Sequence, residues 1–397
     1  MLEFYSSSTS VVNSRKAMAE CLEKALTEND TDCDLIIFYS AIGHNFKDLL
    51  DEARHLSPHA QIVGCTCAGV IGREGANESM KALGIMAIRG KKEEFAVSWI
   101  DKIQGMNSYD AAAALAKDLI QKNDRITMIH FLASGIDIAA DRAIDGIESI
   151  FGKDMPIFGA TSSDNMKAVN SFQFAGDTIF EQGSIAIGFA DPSLDIITQA
   201  THGFEVIGLP FSVTRSKANR VYELDNAPAW EYITQNLGLP ITAPFDETIP
   251  VSALAELLPE KHQTAYNNSH ILRAVAKKEP DGSMYMPVAC PEGTKLWLTK
   301  RNEDLIFGGL DTMVSQIVAQ CDSKKPLAVF HADCCARGRH LFNSILKDEI
   351  VMRMQSPLCD DTTPWLGMYG LGEFAQINEK NFFHNYTTAL YVIVRRQ

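Results

Sequence analysis

The sequence lacks the features that would place it in a membrane, on nucleic acid or among disulfide-bonded scaffolds. Its 397 residues contain no apolar run approaching the roughly 18 residues of a membrane span. The start, MLEFYSSSTSVVNSRKAMAE, lacks the basic residues and apolar core of a signal peptide. No long Lys/Arg run occurs and the formal net charge is −14, which disfavours nucleic acid and anionic membrane surfaces as partners. The nine cysteines are an odd number without C-x-x-C spacing, so we expect reduced thiols and a cytoplasmic protein.

Motifs of common catalytic and cofactor sites are absent as well. The chain has no G-x-x-x-x-G-K-[ST] phosphate loop, no H-E-x-x-H zinc helix, no G-x-S-x-G nucleophile turn and no C-x-x-C-H haem attachment motif. The stretch GMYGLG at 367–372 carries its glycines in the reverse order of a dinucleotide fingerprint, and a strand-like segment follows it. These absences favour a function other than the enzyme classes that the motifs mark.

A repeated pattern is present. Three stretches share an apolar run, a glycine and small or polar residues: QIVGCTCAG (61–69), PIFGATSSD (156–164) and PWLGMYGLG (364–372). Each follows a strand-like run and a segment of helical periodicity. The sequence therefore predicts an α/β fold with mixed sheets, built from duplicated strand-loop-helix-strand units.

The remaining segments give a coarse order of elements. We predict a helix at 13–27, hairpins at 171–192, and an irregular connection or lid at 240–265. In the third unit the strand 326–334 is followed by a predicted helix at 337–346. If the protein closes on a ligand, we expect its two halves to move about residues 225–265.

The glycine-containing turns are candidate binding elements. Loops that leave the carboxyl ends of strands collect at one edge of a sheet, and ligands bind there. The alternative is that they are ordinary tight turns. The candidate ligand-binding residues are Cys65, Thr66, Thr161, Ser162, Ser163, Asp164, Asn165, Asp333, Cys334, Arg337, Tyr369, Glu373 and Asn385.

The motifs, taken in order, resemble a known family. GCTCAGVIG, FGATSSDN, HGFEVIG and VYELDNAPAWEYI are similar to the N-terminal half of FIST proteins. ILRAV, CPEGTKL, FHADCCARGR, GMYGLGEFAQI and HNYTT are similar to the C-terminal half, so the resemblance covers roughly residues 31–390. It implies a sensory module for small ligands in signal transduction, not an enzyme. The expected organisation is an N-terminal helical segment (1–30), a FIST N domain (31–225) and a FIST C domain (226–397).

The resemblance also implies a cofactor and a partner. A stand-alone FIST chain is similar to the NosP group, which implies haem b, nitric oxide sensing, and regulation of a separate histidine kinase or cyclic-di-GMP enzyme. A homodimer is left open. The axial ligand of a haem is commonly a histidine. The candidates are His202, His331 and His384, although each such histidine is more often a structural residue.

Two alternatives to haem stay open. A FIST sensor for an amino acid or another metabolite would hold the charged ends of its ligand with Asp164, Asp333, Arg337 and Asn385. A cysteine-dependent enzyme would use Cys334 or Cys65 as its nucleophile. In the haem hypothesis, Cys334 could also ligate the iron as a thiolate, its pKa lowered by the adjacent Arg337, although such a cysteine is more often a packing residue.

Overall fold

Three units of one topology form the frame of the protein in the computed structural model, which describes residues 1–26, 30–248, 253–339, 342–360 and 362–396. In each unit a strand and a helix lead to a second strand, and another helix leads to a third strand parallel to the second. A hairpin then leaves the unit, and a final antiparallel strand completes it. The predicted α/β class with mixed sheets and repeated units is confirmed.

The first two units follow each other directly. Unit 1 contains β1 (Glu3–Thr9), α1 (Ser14–Ala25), β2 (Leu35–Ala41), α2 (Phe46–Leu56), β3 (Gln61–Cys67), β4 (Val70–Gly72), β5 (Gly75–Asn77) and β6 (Leu83–Arg89). Unit 2 contains β7 (Phe95–Ile100), α3 (Ser108–Lys122), β8 (Met128–Ser134), α4 (Ala140–Phe151), β9 (Ile157–Ser162), β10 (Phe172–Ala175), β11 (Thr178–Glu181) and β12 (Ser184–Phe189).

Unit 3 is interrupted by an insertion after its first strand, β13 (Leu194–His202). The insertion contains β14 (Phe204–Lys217), β15 (Arg220–Leu224), β16 (Ala227–Pro228), α5 (Ala229–Asn236), α6 (Phe245–Thr248), β17 (Leu254–Leu257), α7 (Glu260–Tyr266), β18 (His270–Arg273), β19 (Lys277–Lys278), β20 (Met284–Tyr285) and β21 (Lys295–Arg301). Unit 3 resumes with α8 (Glu303–Cys321), β22 (Ala328–Cys334), α9 (Ser344–Gln355), β23 (Trp365–Gly370), β24 (Glu373–Ile377), β25 (Lys380–His384) and β26 (Thr387–Arg395).

The hairpin of each unit belongs to the sheet of another unit. The strand orders are β1-β6-β2-β3-β10-β11, β25-β24-β9-β8-β12-β7 and β13-β26-β22-β23-β4-β5. The hairpin of unit 1 thus extends the sheet of unit 3, that of unit 2 extends the sheet of unit 1, and that of unit 3 extends the sheet of unit 2. The exchange is cyclic and closes the three units into a ring.

Amphipathic elements place the core. The inner faces of the three sheets share one apolar cluster that includes Phe158, Phe330 and Tyr391, while the helices cover the outer faces. In α2, for example, Leu49 and Ala53 are buried. The helix begins after Asn45, whose side chain accepts a hydrogen bond from the amide of Asp48 (3.2 Å).

Two predicted segments differ from the structure. The predicted helix at 337–346 is wrong: a short 3₁₀ turn spans Cys335–Arg337, and α9 begins only after Asn343, whose side chain caps it. The predicted irregular connection at 240–265 contains α6, β17 and α7, and its residues 249–252 lie outside the described residues. Pairing of β17 with β18 and β21, and not the turn residues around it, decides that this segment is a strand.

The expected motion of two halves about residues 225–265 is also contradicted. Strand β13, which precedes this segment, pairs with β26 along all nine of its residues. Pairing of β9 with β24 and of β4 with β23 joins the two halves again. A hinge there would break these ladders. In the described part of the chain, no helix is long and apolar enough to cross a membrane.

Candidate functional site

The ends of β3, β9 and β23 lie against one another. The amide of Ser163 donates to the carbonyl of Thr66 (3.0 Å), and the Ser163 hydroxyl donates to the carbonyl of Tyr369 (2.8 Å). The amide of Leu371 donates to the carbonyl of Thr161 (3.2 Å). The three glycine-containing turns therefore meet, one from each unit.

The repeated glycine has a packing role. Gly64, Gly159 and Gly367 stand at equivalent positions of the three parallel strand pairs. A Cβ at Gly64 or Gly159 would overlap a carbonyl oxygen of the neighbouring strand, and one at Gly367 would lie 2.8 Å from the Cβ of His331. A positive φ does not explain all three glycines, because of the three only Gly159 has one. The close approach of the neighbouring strand is the feature that they share.

The candidate hydroxyls of units 1 and 2 are occupied by protein partners. All of them are fully buried. Thr66 accepts a hydrogen bond from the amide of Phe172 (2.9 Å), and Ser162 accepts one from the side chain of Gln173 (2.6 Å). The Thr161 hydroxyl donates to the carbonyl of Gly372 (3.3 Å). These groups hold the turns together, so a ligand would have to displace an existing hydrogen bond to use them.

Asp164 closes its own loop. Its carboxylate accepts hydrogen bonds from the amides of four consecutive residues, beginning with Lys167 (2.8 Å) and ending with Asn170 (3.3 Å). The residue is 2% exposed, and the neighbouring Asn165 is only half-buried. The four amides satisfy the Asp164 carboxylate, so it is not a free group at the site.

The strand ends of unit 3 carry a buried ion pair. Arg337 follows β22 and donates through Nε to the Oδ1 of Asp333 (2.8 Å), and each residue is at most 3% exposed. The Oδ2 of Asp333 is 3.7 Å from the Nε2 of His331. The Nη2 of Arg337 has no hydrogen-bond partner among the described residues. One donor of this enclosed guanidinium therefore remains available.

Glu373 lies near this pair and is also incompletely bonded. It begins β24, is 0% exposed, and neither of its carboxyl oxygens has a hydrogen-bond partner in the described ranges. Burial raises the pKa of Glu373 well above its usual range, and Cys334 and Asp333 raise it further. Arg337 lowers this pKa, as does the Thr387 amide, although that amide is not in hydrogen-bond geometry. Burial without a bonded partner therefore favours the protonated, uncharged form of this carboxyl.

The other two polar candidates of unit 3 are structural in this conformation. The side chain of Asn385 accepts from the amide of Ala274 (3.0 Å) and donates to the carbonyl of Leu371 (3.1 Å). It thereby ties the insertion to unit 3. Tyr369 is 1% exposed, and burial raises the pKa of its hydroxyl well above the usual range.

The three candidate haem ligands differ in the ring nitrogens they leave free. His202 accepts from the amide of Phe204 at Nδ1 (3.2 Å) and contacts the carbonyl of His270 with Nε2 (2.9 Å). Both nitrogens of His384 are likewise engaged, by Tyr266 (3.3 Å) and by a backbone carbonyl (3.2 Å). Burial lowers the pKa of His202 to about 4 and that of His384 to about 3.

His331 retains one free nitrogen. Its Nε2 is 2.8 Å from the hydroxyl of Thr388, whereas its Nδ1 has no partner among the residues that the structure describes. The ring is enclosed and packs edge-on against Trp365, with 5.7 Å between centroids. Of the three, His331 therefore fits the donor requirement of a haem iron best, but a macrocycle beside it requires the surrounding packing to open.

The cysteines do not have the properties of nucleophiles. Cys65 is buried and its Sγ lies 3.8 Å from the Sδ of Met368. Burial raises the pKa of Cys65 well above its usual range. The pKa of Cys334 is raised by its contact with Cys335 and by burial. The expected lowering by Arg337 is wrong, because that guanidinium is bonded to Asp333.

Comparison with known proteins decides the family. Two family models match the chain in order, the FIST N domain over residues 34–227 and the FIST C domain over residues 235–376. The chain belongs to the FIST family. FIST domains are small-ligand sensor domains of signalling proteins, so the resemblance read from the motifs is confirmed for the family.

Other comparisons are distant. No curated protein matches this FIST chain. Among solved structures, the cyanuric acid hydrolase from A. caulinodans is similar at 7% identity over 100% of both chains, with a TM-score of 0.38. A second cyanuric acid hydrolase, described as an evolutionary innovation by structural concatenation, is 10% identical over 100% of both chains, with a TM-score of 0.35.

Sequence reasoning missed one residue that lines the site of this FIST protein. Tyr266 of α7 reaches from the insertion to unit 3, where its hydroxyl is 3.4 Å from that of Thr387. It is 3% exposed, and burial raises the pKa of its hydroxyl, with a smaller increase from Glu373. No local pattern marks Tyr266, because the two side chains within hydrogen-bond distance of its hydroxyl, His384 and Thr387, are more than 100 residues away in the chain.

Proposed function

We propose that this FIST protein is a sensor that binds a small polar ligand at the strand ends of unit 3 and releases it unchanged. The observation that carries the proposal is the pair of incompletely bonded groups there, Arg337 Nη2 and the Glu373 carboxyl. Buried polar groups in folded proteins nearly always have a partner. A ligand that forms hydrogen bonds with both groups would remove the free-energy cost of burying them unsatisfied.

The hydrogen bonds of the candidate residues indicate which of them could contact a ligand. Asp164 and Asn385 are satisfied by backbone groups, and Asp333 is paired with Arg337. Arg337 and Glu373 are therefore the residues that we assign to ligand contact. An amino acid or another small metabolite with a hydrogen-bond acceptor and a donor suits these two groups.

Access to the ligand site requires the insertion to move. Cys334 and Tyr386 of unit 3 pack against Ala255 and Leu272 of the insertion, and these contacts cover the strand ends. We propose that ligand binding shifts this contact and that the shift is the signal. The resemblance that introduced the family implies its receiver, a separate histidine kinase or cyclic-di-GMP enzyme.

A ligand screen on the purified protein tests the site. We expect at least one small polar metabolite to raise the melting temperature of the wild type, since a ligand at 100 times its Kd adds about 2.7 kcal/mol. The increase should be lost in Glu373→Ala and kept in Glu181→Ala, which changes an exposed glutamate of β11. Stabilisation that survives Glu373→Ala would place the site elsewhere.

Haem with nitric oxide as the sensed molecule is the second candidate, favoured by the free Nδ1 of His331. A bound haem would supply the iron to which the gas binds, and His331 would hold it. The absorption spectrum of protein expressed with added haem tests this candidate. A Soret band that disappears in His331→Ala and persists in His202→Ala supports this candidate, and a spectrum without the band removes it.

A further inference from the structure

The surroundings of the Glu373 carboxyl indicate which chemical class of ligand would bind to it. Its carboxyl is enclosed by unit 3 and the insertion, and the titratable groups that face it are Cys334, Asp333, Tyr266, Tyr391 and Arg337. The pKa values of the Cys334 thiol and of the Tyr266 and Tyr391 hydroxyls are raised, so these groups are uncharged, and the single cation is already bonded to the Asp333 carboxylate. The surroundings therefore favour an uncharged carboxyl, which presents one O–H donor and one C=O acceptor side by side.

The hydroxyls near Glu373 have other partners. The Tyr391 hydroxyl lies 3.0 Å from the carbonyl of Gly159 and 2.7 Å from that of Phe374. The Tyr266 hydroxyl is shared between His384 and Thr387. Neither group bonds to the carboxyl, so both of its oxygens are without a partner in the described part of the chain.

We propose that the ligand of this site is a small neutral molecule with an amide-type group, such as a carboxamide, a lactam or an imide. This inference rests on the proposed function. The amide N–H donates to the C=O of Glu373, and the amide C=O accepts from its O–H, which gives two parallel hydrogen bonds. A second acceptor on the molecule takes the unused N–H of Arg337 Nη2.

An amino acid would need a different state of the site. Its ammonium group can only donate, so it pairs well with Glu373 only after the carboxyl has lost its proton. The binding of an ammonium group therefore releases a proton, and its affinity rises with pH, by up to about tenfold per unit. Binding of an amide leaves the carboxyl protonated and releases no proton, so its affinity does not rise with pH.

Replacement of the carboxyl by a carboxamide distinguishes a neutral amide ligand from an amino acid. Glu373→Gln keeps a neutral donor and acceptor of almost the same shape, whereas Glu373→Ala removes both. We expect succinimide and 2-pyrrolidone to bind wild type and Glu373→Gln within about threefold of each other, and Glu373→Ala at least about tenfold more weakly. Thermal shift and calorimetric titration at pH 6 and pH 8 measure these affinities, with Glu181→Ala as the control.

Each other outcome overturns the inference. The free amino acid alanine serves as the probe with an ammonium group. If it binds more tightly at pH 8 than at pH 6, and if Glu373→Gln abolishes this binding, the proposed sensory site is right but its ligand is a cation. If neither probe binds at millimolar concentration, or if both bind Glu373→Ala as well as wild type, the carboxyl does not recognise amides. The metabolite screen tests the proposed function separately, because it does not depend on which chemical class binds.

Discussion

Gly64, Gly159 and Gly367 each face the backbone of the strand beside them, so the spacing of the parallel strands in each unit depends on the absence of a side chain. The same spacing sets where the three turns meet. At Gly64 the neighbouring atom is the carbonyl oxygen of Phe38, which is fixed in the sheet. A backbone atom in a sheet cannot move aside as a flexible side chain can, so an added methyl group must separate the strands.

Replacement of Gly64 by alanine should therefore destabilise the protein. We expect Gly64→Ala to lower the free energy of unfolding by about 1–3 kcal/mol, the usual cost of overpacking a core. Gly308→Ala is the matched control, since Gly308 is exposed in α8 and a Cβ there would meet nothing within 4 Å. It should stabilise the helix by up to about 1 kcal/mol. Urea denaturation measures both, and equal stability of Gly64→Ala and wild type would contradict the packing argument.

The residues that could be predicted from the sequence are those that a local pattern marks. The three glycines recur with the same neighbours, and they do stand at equivalent positions. Glu373 was also a candidate, but it is one of 50 acidic residues, and nothing near it in the chain shows that it lacks a partner. The surroundings of Glu373, which include Cys334, Arg337 and Tyr266, form only in the folded chain.

Among the secondary-structure elements, the exchanged hairpin β4–β5 is held to unit 3 by the residue that follows it. The Glu78 carboxylate accepts from the amide of Arg339 (3.0 Å) and from the Nζ of Lys347 in α9 (3.0 Å). A Cβ at Gly338 would overlap this carboxylate. Glu78 thus fixes the backbone immediately after Arg337, so an element of unit 1 supports the ligand site of unit 3.

Neutralising this carboxylate should loosen the site. We expect Glu78→Gln to lower the free energy of unfolding by about 1–3 kcal/mol, because a buried carboxamide accepts hydrogen bonds from the Arg339 amide and the Lys347 ammonium group less strongly than a carboxylate does. Hydrogen exchange should become faster at the amide of Arg339. Glu74→Gln alters an exposed glutamate of the same hairpin and should change neither quantity. If both variants exchange alike, the contact does not restrain the backbone after Arg337.

Helix bounds and strand pairing differ in how far local sequence decides them. The bounds of α2 follow from local features, the Asn45 cap and apolar residues at helical spacing. The predicted helix start at 337 is too early, because the capping Asn343 decides where α9 begins. The exchange of hairpins could not be predicted, since β4 and β23 pair across almost 300 residues and neither strand carries a local mark of its partner.

At the scale of the whole molecule, the units depend on one another for complete sheets. Contacts at the chain ends close the ring: Asp191 accepts from the amide of Leu2 (2.9 Å) and from Arg395 (3.0 Å). Hydrogen bonds from Ser193, Leu2 and Arg395 outweigh burial and lower the pKa of Asp191 to about 2. The FIST N and FIST C matches meet inside the insertion, between residues 227 and 235, so they are segments of sequence whose strands share the same sheets.

The shared sheets lead to a prediction about the isolated N-terminal segment. A fragment of residues 1–227 ends before β26, β24 and β23, which pair with β13, β9 and β4. It would expose three apolar sheet edges and lack about a third of the buried residues of the central cluster, so we expect it to unfold without a cooperative transition. Thermal unfolding followed by circular dichroism compares it with the full chain. Mixing it with a fragment of residues 228–397 should restore a transition, because the missing strands then return. A sharp transition of the first fragment alone would mean that unit 1 and unit 2 fold without the exchanged strands, and the ring would then be an assembly of independent domains.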